Sequence, residues 1–134
     1  MSPQAPQALT ILIVEDQDGP RAVLEVLLSP HYRVHTAKTV HAALDIIHHH
    51  PLDLIVTDVG LPDRTGIELL RDLQPLTTTK VIVISGSGTV QSAQDAIALG
   101  ATAYLLKPFN ADELLALIHK TLSPQAARTQ PAAH

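Results

Sequence analysis

Five polar side chains stand where apolar runs of strand length end. Glu15 and Asp16 follow LTILIV (Leu9–Val14), Asp58 follows LDLIVT (Leu52–Thr57), Ser85 follows KVIVI (Lys80–Ile84), and Lys107 follows AYLL (Ala103–Leu106). Gathered in one place, three carboxylates repel and raise one another's pKa unless a cation sits among them. A hard divalent ion meets that need. Mg2+ suits it, because it takes one or two carboxylates and completes its shell with water and phosphate oxygens. The Lys107 ammonium and the Ser85 hydroxyl can then hold the oxygens of a phosphoryl group on Asp58. Nucleophile, metal, ammonium and hydroxyl are the parts that phosphoryl transfer to a carboxylate requires.

The elements that must position these groups follow from periodicity. LTILIV, LDLIVT and KVIVI are nearly continuous in Ile, Val and Leu, as strands buried on both faces are. Shorter strands are expected at Tyr32–Thr36 and Ala103–Leu106. Between them fall helical patterns at Pro20–Leu28, Val40–His49, Gly66–Gln74 and Val90–Leu99, with a last one at Ala111–Leu122. Gly100 can supply a left-handed stop, and Asn110-x-x-Glu113 is a variant of the capping box. Strand and helix alternating five times predict an α/β domain, a parallel sheet with helices on both faces. Such sheets bind at the carboxyl ends of their strands, where the five polar positions lie.

Composition narrows the function classes. Of 134 residues, 46% are hydrophobic, enough for a core and too many for a disordered chain. The aromatics are Tyr32, Tyr104 and Phe109, and the net charge is −4, which argues against base stacking and phosphate-backbone binding. With no Cys, disulfides and thiolate metal sites are excluded. No apolar run is long enough to cross a bilayer, and the amino terminus lacks a signal-peptide pattern, so a cytoplasmic domain is expected. Residues 1–8 and 123–134 are rich in Pro, Ala and Gln and read as tails or linkers, leaving 9–122 as the folded domain.

Four stretches together resemble the receiver domains of two-component response regulators. They are ILIVED (Ile11–Asp16), LIVTDVGLPDRTG (Leu54–Gly66), VIVISGSG (Val81–Gly88) and GATAYLLKPF (Gly100–Phe109), in order and at matching intervals. The resemblance implies a doubly wound, flavodoxin-like (βα)5 fold with strand order 2-1-3-4-5. It implies that Asp58 is the phosphoacceptor, and that Glu15, Asp16 and Asp58, with the Gly60 carbonyl, hold Mg2+. Ser85 and Lys107 stand at the positions of the family's hydroxyl and ammonium. Tyr104 matches the aromatic whose rotamer reports phosphorylation, and Lys107–Pro108 matches a bond usually cis in the family. The implied partner is a histidine kinase or a histidine phosphotransfer protein. The face expected to switch, and to serve any homodimer, comprises the fourth predicted helix, the strand at Ala103–Leu106 and the last helix. Two positions depart from the commonest pattern. Gly60 replaces a larger side chain, and Gly86 replaces Ala. Gly60 and Ser87 flank the line of water attack on phosphorus, and an open Gly60 predicts a comparatively short-lived phosphoryl group.

Two other readings compete. Asp16-Gln17-Asp18-Gly19 resembles the opening of haloacid-dehalogenase-type phosphatases, with Asp16 as nucleophile. Against it, the acidic pair after Lys107, Asp112-Glu113, falls inside a helix, and no cap domain is present. A pseudo-receiver, binding partners without accepting phosphate, conflicts with the presence of all five polar positions. His48-His49-His50 looks like a metal site, but adjacent helical residues do not share a face. At the end of a helix it reads as a solvated terminus that complements the dipole.

Overall fold

The computed structural model describes residues 9–58, 71, 79–85, 94–95, 97–98, 100–107 and 109–122. Five strands form one parallel sheet: β1 (Thr10–Val14), β2 (Arg33–Ala37), β3 (Leu54–Asp58), β4 (Lys80–Ser85) and β5 (Ala103–Leu106). Their order is β2-β1-β3-β4-β5, so the expected doubly wound topology is observed. Three helices are described in full: α1 (Asp18–Leu28), α2 (Val40–His49) and α3 (Ala111–Leu122). Arg71, Gln94, Asp95, Ile97 and Ala98 are also helical, inside the third and fourth predicted helices; the rest of those two helices lies outside the described residues.

The sheet buries apolar side chains on both faces, which explains the unbroken Ile, Val and Leu runs. Ile11, Ile13, Leu54, Val56, Ile82 and Ile84 form one core with Leu24 and Leu28 of α1 and Leu114 and Ile118 of α3. The alternate residues Leu12, Val14, Ile55, Val81 and Val83 form a second core with Val40 and Ala43 of α2. Each strand therefore contributes to two layers, and a one-residue slip in register would exchange them.

Several element ends differ from the sequence expectation, each for a local reason. Tyr32 falls in the turn after α1, because its amide donates to the Leu28 carbonyl at 2.9 Å, so β2 starts at Arg33. Leu52 and Asp53 precede β3: the Asp53 carboxylate accepts from the Thr10 amide at 2.8 Å, which turns this segment toward the foot of β1. Helix α1 begins two residues earlier than Pro20, with the Arg21 amide donating to the Gln17 carbonyl at 3.0 Å. The capping box at Asn110 is present in both directions. The Asn110 amide donates to Glu113 Oε1 at 2.9 Å, and the Glu113 amide donates to Asn110 Oδ1 at 2.8 Å. Gly100 has φ 108°, the stop expected of it.

Candidate functional site

After β1 the chain moves to β2 on one side, and β3 then pairs on the other side of β1. This reversal opens a crevice at the carboxyl ends of β1 and β3. Glu15 and Asp16 follow β1 directly, Asp58 is the last residue of β3, Ser85 is the last of β4, and Lys107 follows β5. Asp58 and Ser85 belong to their ladders, paired with Ile84 and Leu106, which extends both strands one residue past the apolar pattern. In-ladder placement fixes their backbones in the sheet.

Lys107 joins the acidic residues. Its Nζ donates to Asp58 Oδ2 at 2.8 Å and to Glu15 Oε1 at 3.3 Å. The Lys107 amide donates to the Ser85 carbonyl at 2.9 Å, so strand pairing sets the base of this long side chain. Burial pulls the Lys107 ammonium toward neutrality, but hydrogen bonding and charge from Asp58, then Glu15, outweigh it and raise its pKa. Glu15 is 3% exposed and its carboxyl is raised above the ordinary range, first by burial. The Gln17 amide, at 3.1 Å from Oε2, opposes that shift, and the adjacent Asp58 carboxyl adds to it. The half-buried Asp16 carboxylate has no hydrogen-bond partner among the described residues.

Glu15 and Asp58 share the Lys107 ammonium, and Asp16 follows Glu15 at the same edge of the sheet. Their chemistry fits a hard divalent cation that keeps much of its water. They do not form a closed cage: among the described residues no three such groups converge as a ready metal site. Lys107 is instead the cation that bridges Glu15 and Asp58. Gly60, Ser87 and Pro108 lie outside the described residues.

Ser85 is buried, and by strand alternation it lies on the sheet face of Val81 and Val83. Tyr104 packs on that same face, opposite Val83 in the ladder. Its hydroxyl is buried without a hydrogen-bond partner among the described residues. Two features were not expected from the sequence. Arg21, in the first turn of α1, turns its guanidinium back onto the loop that carries Glu15 and Asp16. A cation there opposes the helix dipole, and that conflict was a readable signal. The rings of His35 and His50 stack with centroids 4.6 Å apart, and His49 caps α2 through the Asp45 carbonyl at 2.7 Å. His49 and His50 thus make helix-end contacts, and His48, His49 and His50 are all exposed, in line with the solvated-terminus reading.

A five-stranded parallel sheet in this order, with acidic groups and a lysine at its carboxyl edge, defines a flavodoxin-like α/β domain of the receiver type. The response regulator receiver domain model matches residues 11–119, and the chain belongs to that family. It is similar to the KDP operon transcriptional regulatory protein KdpE of Escherichia coli, 38% identical over 122 residues, covering 90% of this chain and 54% of that protein. The chain thus spans about half the length of the relatives it matches. A CheY-like response regulator receiver domain protein from Methanospirillum hungatei superposes with TM-score 0.82 at 30% identity, covering 91% of this chain and 99% of that one. The beryllofluoride-activated NtrC4 receiver domain dimer gives TM-score 0.80 at 32% identity, covering 84% of this chain and 95% of that one. Family membership removes the phosphatase reading of Asp16. Among the described residues no helix is long and apolar enough to cross a membrane.

Proposed function

We propose that Asp58 accepts a phosphoryl group from a phosphohistidine on a kinase or phosphotransfer protein. The observation that carries this reading is the Lys107 ammonium, 2.8 Å from Asp58 and 3.3 Å from Glu15, at the carboxyl edge of the sheet. An Asp58 oxygen attacks phosphorus in line; the P–N bond to the donor imidazole breaks as the P–O bond forms. Lys107 then pairs with a phosphoryl oxygen. Ser85, on the adjacent strand, donates its hydroxyl to another. Glu15, Asp16, Asp58 and the Gly60 carbonyl would hold Mg2+, which neutralises charge on the phosphoryl oxygens. The domain turns over no external substrate and catalyses only its own modification and loss of phosphate.

Ser85 and Tyr104 share a sheet face, which supports a switch that runs from the phosphoryl group to β5. Ile97 and Leu106 are 49% and 46% exposed, apolar positions suited to self-association on the face that also includes α3. A cytoplasmic location fits a kinase-coupled domain of this composition. The test is direct. Incubated with Mg2+ and a small acyl phosphate, or with its kinase, the protein gains one phosphoryl group, located at Asp58 by mass spectrometry. Asp58→Asn keeps the shape and the fold, by circular dichroism, and takes up none. Labelling at Asp16, or undiminished labelling of the variant, overturns the assignment. For the lifetime, Gly60→Met covers the water approach and is expected to slow phosphate loss about tenfold, a barrier change of ~1.4 kcal/mol. Equal decay in Mg2+ without kinase would show that access at this position is not limiting.

A further inference from the structure

Arg21 has a geometry that a helix-surface arginine does not need. Its Nη1 donates to the Glu15 carbonyl at 3.1 Å and to the Asp16 carbonyl at 3.4 Å, while Nη2 donates to Asp18 Oδ1. The side chain is 15% exposed, so these bonds form largely out of water. One planar guanidinium therefore closes the β1–α1 loop around itself.

The consequence falls on Asp16. A residue's φ and ψ are set by the relative orientation of the two peptide planes that flank it. The planes on either side of Asp16 end in the Glu15 and Asp16 carbonyls, and both carbonyls are held by the same guanidinium. That fixes the backbone of Asp16 and the direction of its Cβ. The second plane is also held by the Gln17 amide, which donates to Glu15 Oε2 at 3.1 Å, but Arg21 alone among the described residues bonds to both planes, and the Asp16 carboxylate has no hydrogen-bond partner there. Glu15 is different. Its amide donates to the Ala37 carbonyl at 3.0 Å, and its carboxylate takes the Gln17 amide and the Lys107 ammonium. Glu15 thus has three holds besides Arg21, whereas Asp16 has only the Gln17 amide on one flanking plane.

We propose that Arg21 is a positioning residue that holds Asp16 in the orientation needed to ligate a divalent cation. This rests on the reading of Asp16 as a Mg2+ ligand. Charge and position predict opposite signs for its removal. A cation near the crevice repels a metal ion, so loss of its charge alone would tighten metal binding. Loss of a group that orients a ligand weakens it.

The experiment measures Mn2+ affinity by electron paramagnetic resonance, and Mg2+ affinity by calorimetry, for the wild type, Arg21→Met, Asp16→Asn and the double variant. Circular dichroism and metal-free thermal midpoints establish that each is folded. Arg21→Met is expected to weaken binding about tenfold or more, the usual cost of losing a group that orients a ligand. In the Asp16→Asn background the same change is expected to do almost nothing, because the residue it positions no longer ligates. At saturating Mg2+ the labelling rate of Arg21→Met with a small acyl phosphate recovers, while its half-saturation moves up. Arg21→Lys keeps the charge but cannot reach all three oxygens, so it too weakens binding. It carries the test should Arg21→Met not fold. Unchanged or tighter binding in a folded Arg21 variant overturns the proposal, as does an equal loss in both backgrounds. A wild type that binds no divalent ion, or binds it equally well as Asp16→Asn, overturns the metal reading and this inference together.

Discussion

At the level of single residues, Glu15 sets stability against function. Its carboxyl is raised above the ordinary 4.5 by burial, against the Gln17 amide and with the help of Asp58. A raised pKa means the folded state holds the proton more tightly than the unfolded chain. Stability is then greatest below 4.5 and falls as pH rises through the folded value, so the ionised group is a burden at neutral pH. Without metal, Glu15→Gln is expected to melt higher than wild type at pH 7: its one acceptor oxygen keeps Lys107 and gives up the Gln17 amide, a loss smaller than the cost of the buried charge. The gap should close as pH falls toward 4.5. Mg2+ should raise the wild-type midpoint and leave the variant unmoved. A lower metal-free midpoint for Glu15→Gln at pH 7 would show that its attraction to Lys107 exceeds the cost of burial. The five polar positions were legible because each ends an apolar run, and strand polarity carries such ends to one edge. Arg21 was not read. Its role depends on a side chain turning back across the loop, although a cation in the first turn of a helix was a visible anomaly.

Elements were legible where local chemistry decides them and blurred where distant partners do. Asn110 and Glu113 satisfy each other's amides within one turn, so the start of α3 could be read from four residues. The start of β3 could not, because the Asp53 carboxylate reaches Thr10, 43 positions away in sequence. The stacking of His35 on His50 has the same origin: it exists only because the end of α2 lies over the edge strand β2. Burial holds the His35 pKa below its ordinary 6.5, with further lowering from His50 and Arg33. The folded state thus binds that proton less readily than the unfolded chain. Its contribution to stability is present above pH 6.5 and is lost as pH falls through the folded value. His35→Gln, with no ring to protonate, should show a flatter dependence of urea midpoint on pH below 6.5 than wild type. Parallel curves for the two proteins would mean that another group controls the acid limb.

For the molecule as a whole, two cores share one sheet, and the α2-side core also receives Tyr104. A buried hydroxyl without a partner costs ~1–3 kcal/mol relative to one in water or hydrogen-bonded. Turned inward, Tyr104 exchanges that cost for contact with the core, so this arrangement sits close in free energy to one with the hydroxyl in solvent. Two states separated by a few kcal/mol are what a single covalent modification can redistribute. The route between them is short: Ser85 is bonded through its carbonyl to the Lys107 amide, and Tyr104 lies on β5 opposite Val83. Tyr104→Phe keeps the ring and removes the stranded hydroxyl, which stabilises the inward arrangement. Its thermal midpoint should rise by several degrees, as a gain of about 1–3 kcal/mol implies for a domain of this size. In the wild type, a stable phosphate mimic should shift backbone NMR signals from Val90 to Leu106. In Tyr104→Phe those signals should already lie toward the mimic-bound positions before the mimic is added, and should move less when it is. Equal midpoints, or shifts confined in both proteins to residues around Asp58, would show that the Tyr104 hydroxyl does not balance the two states.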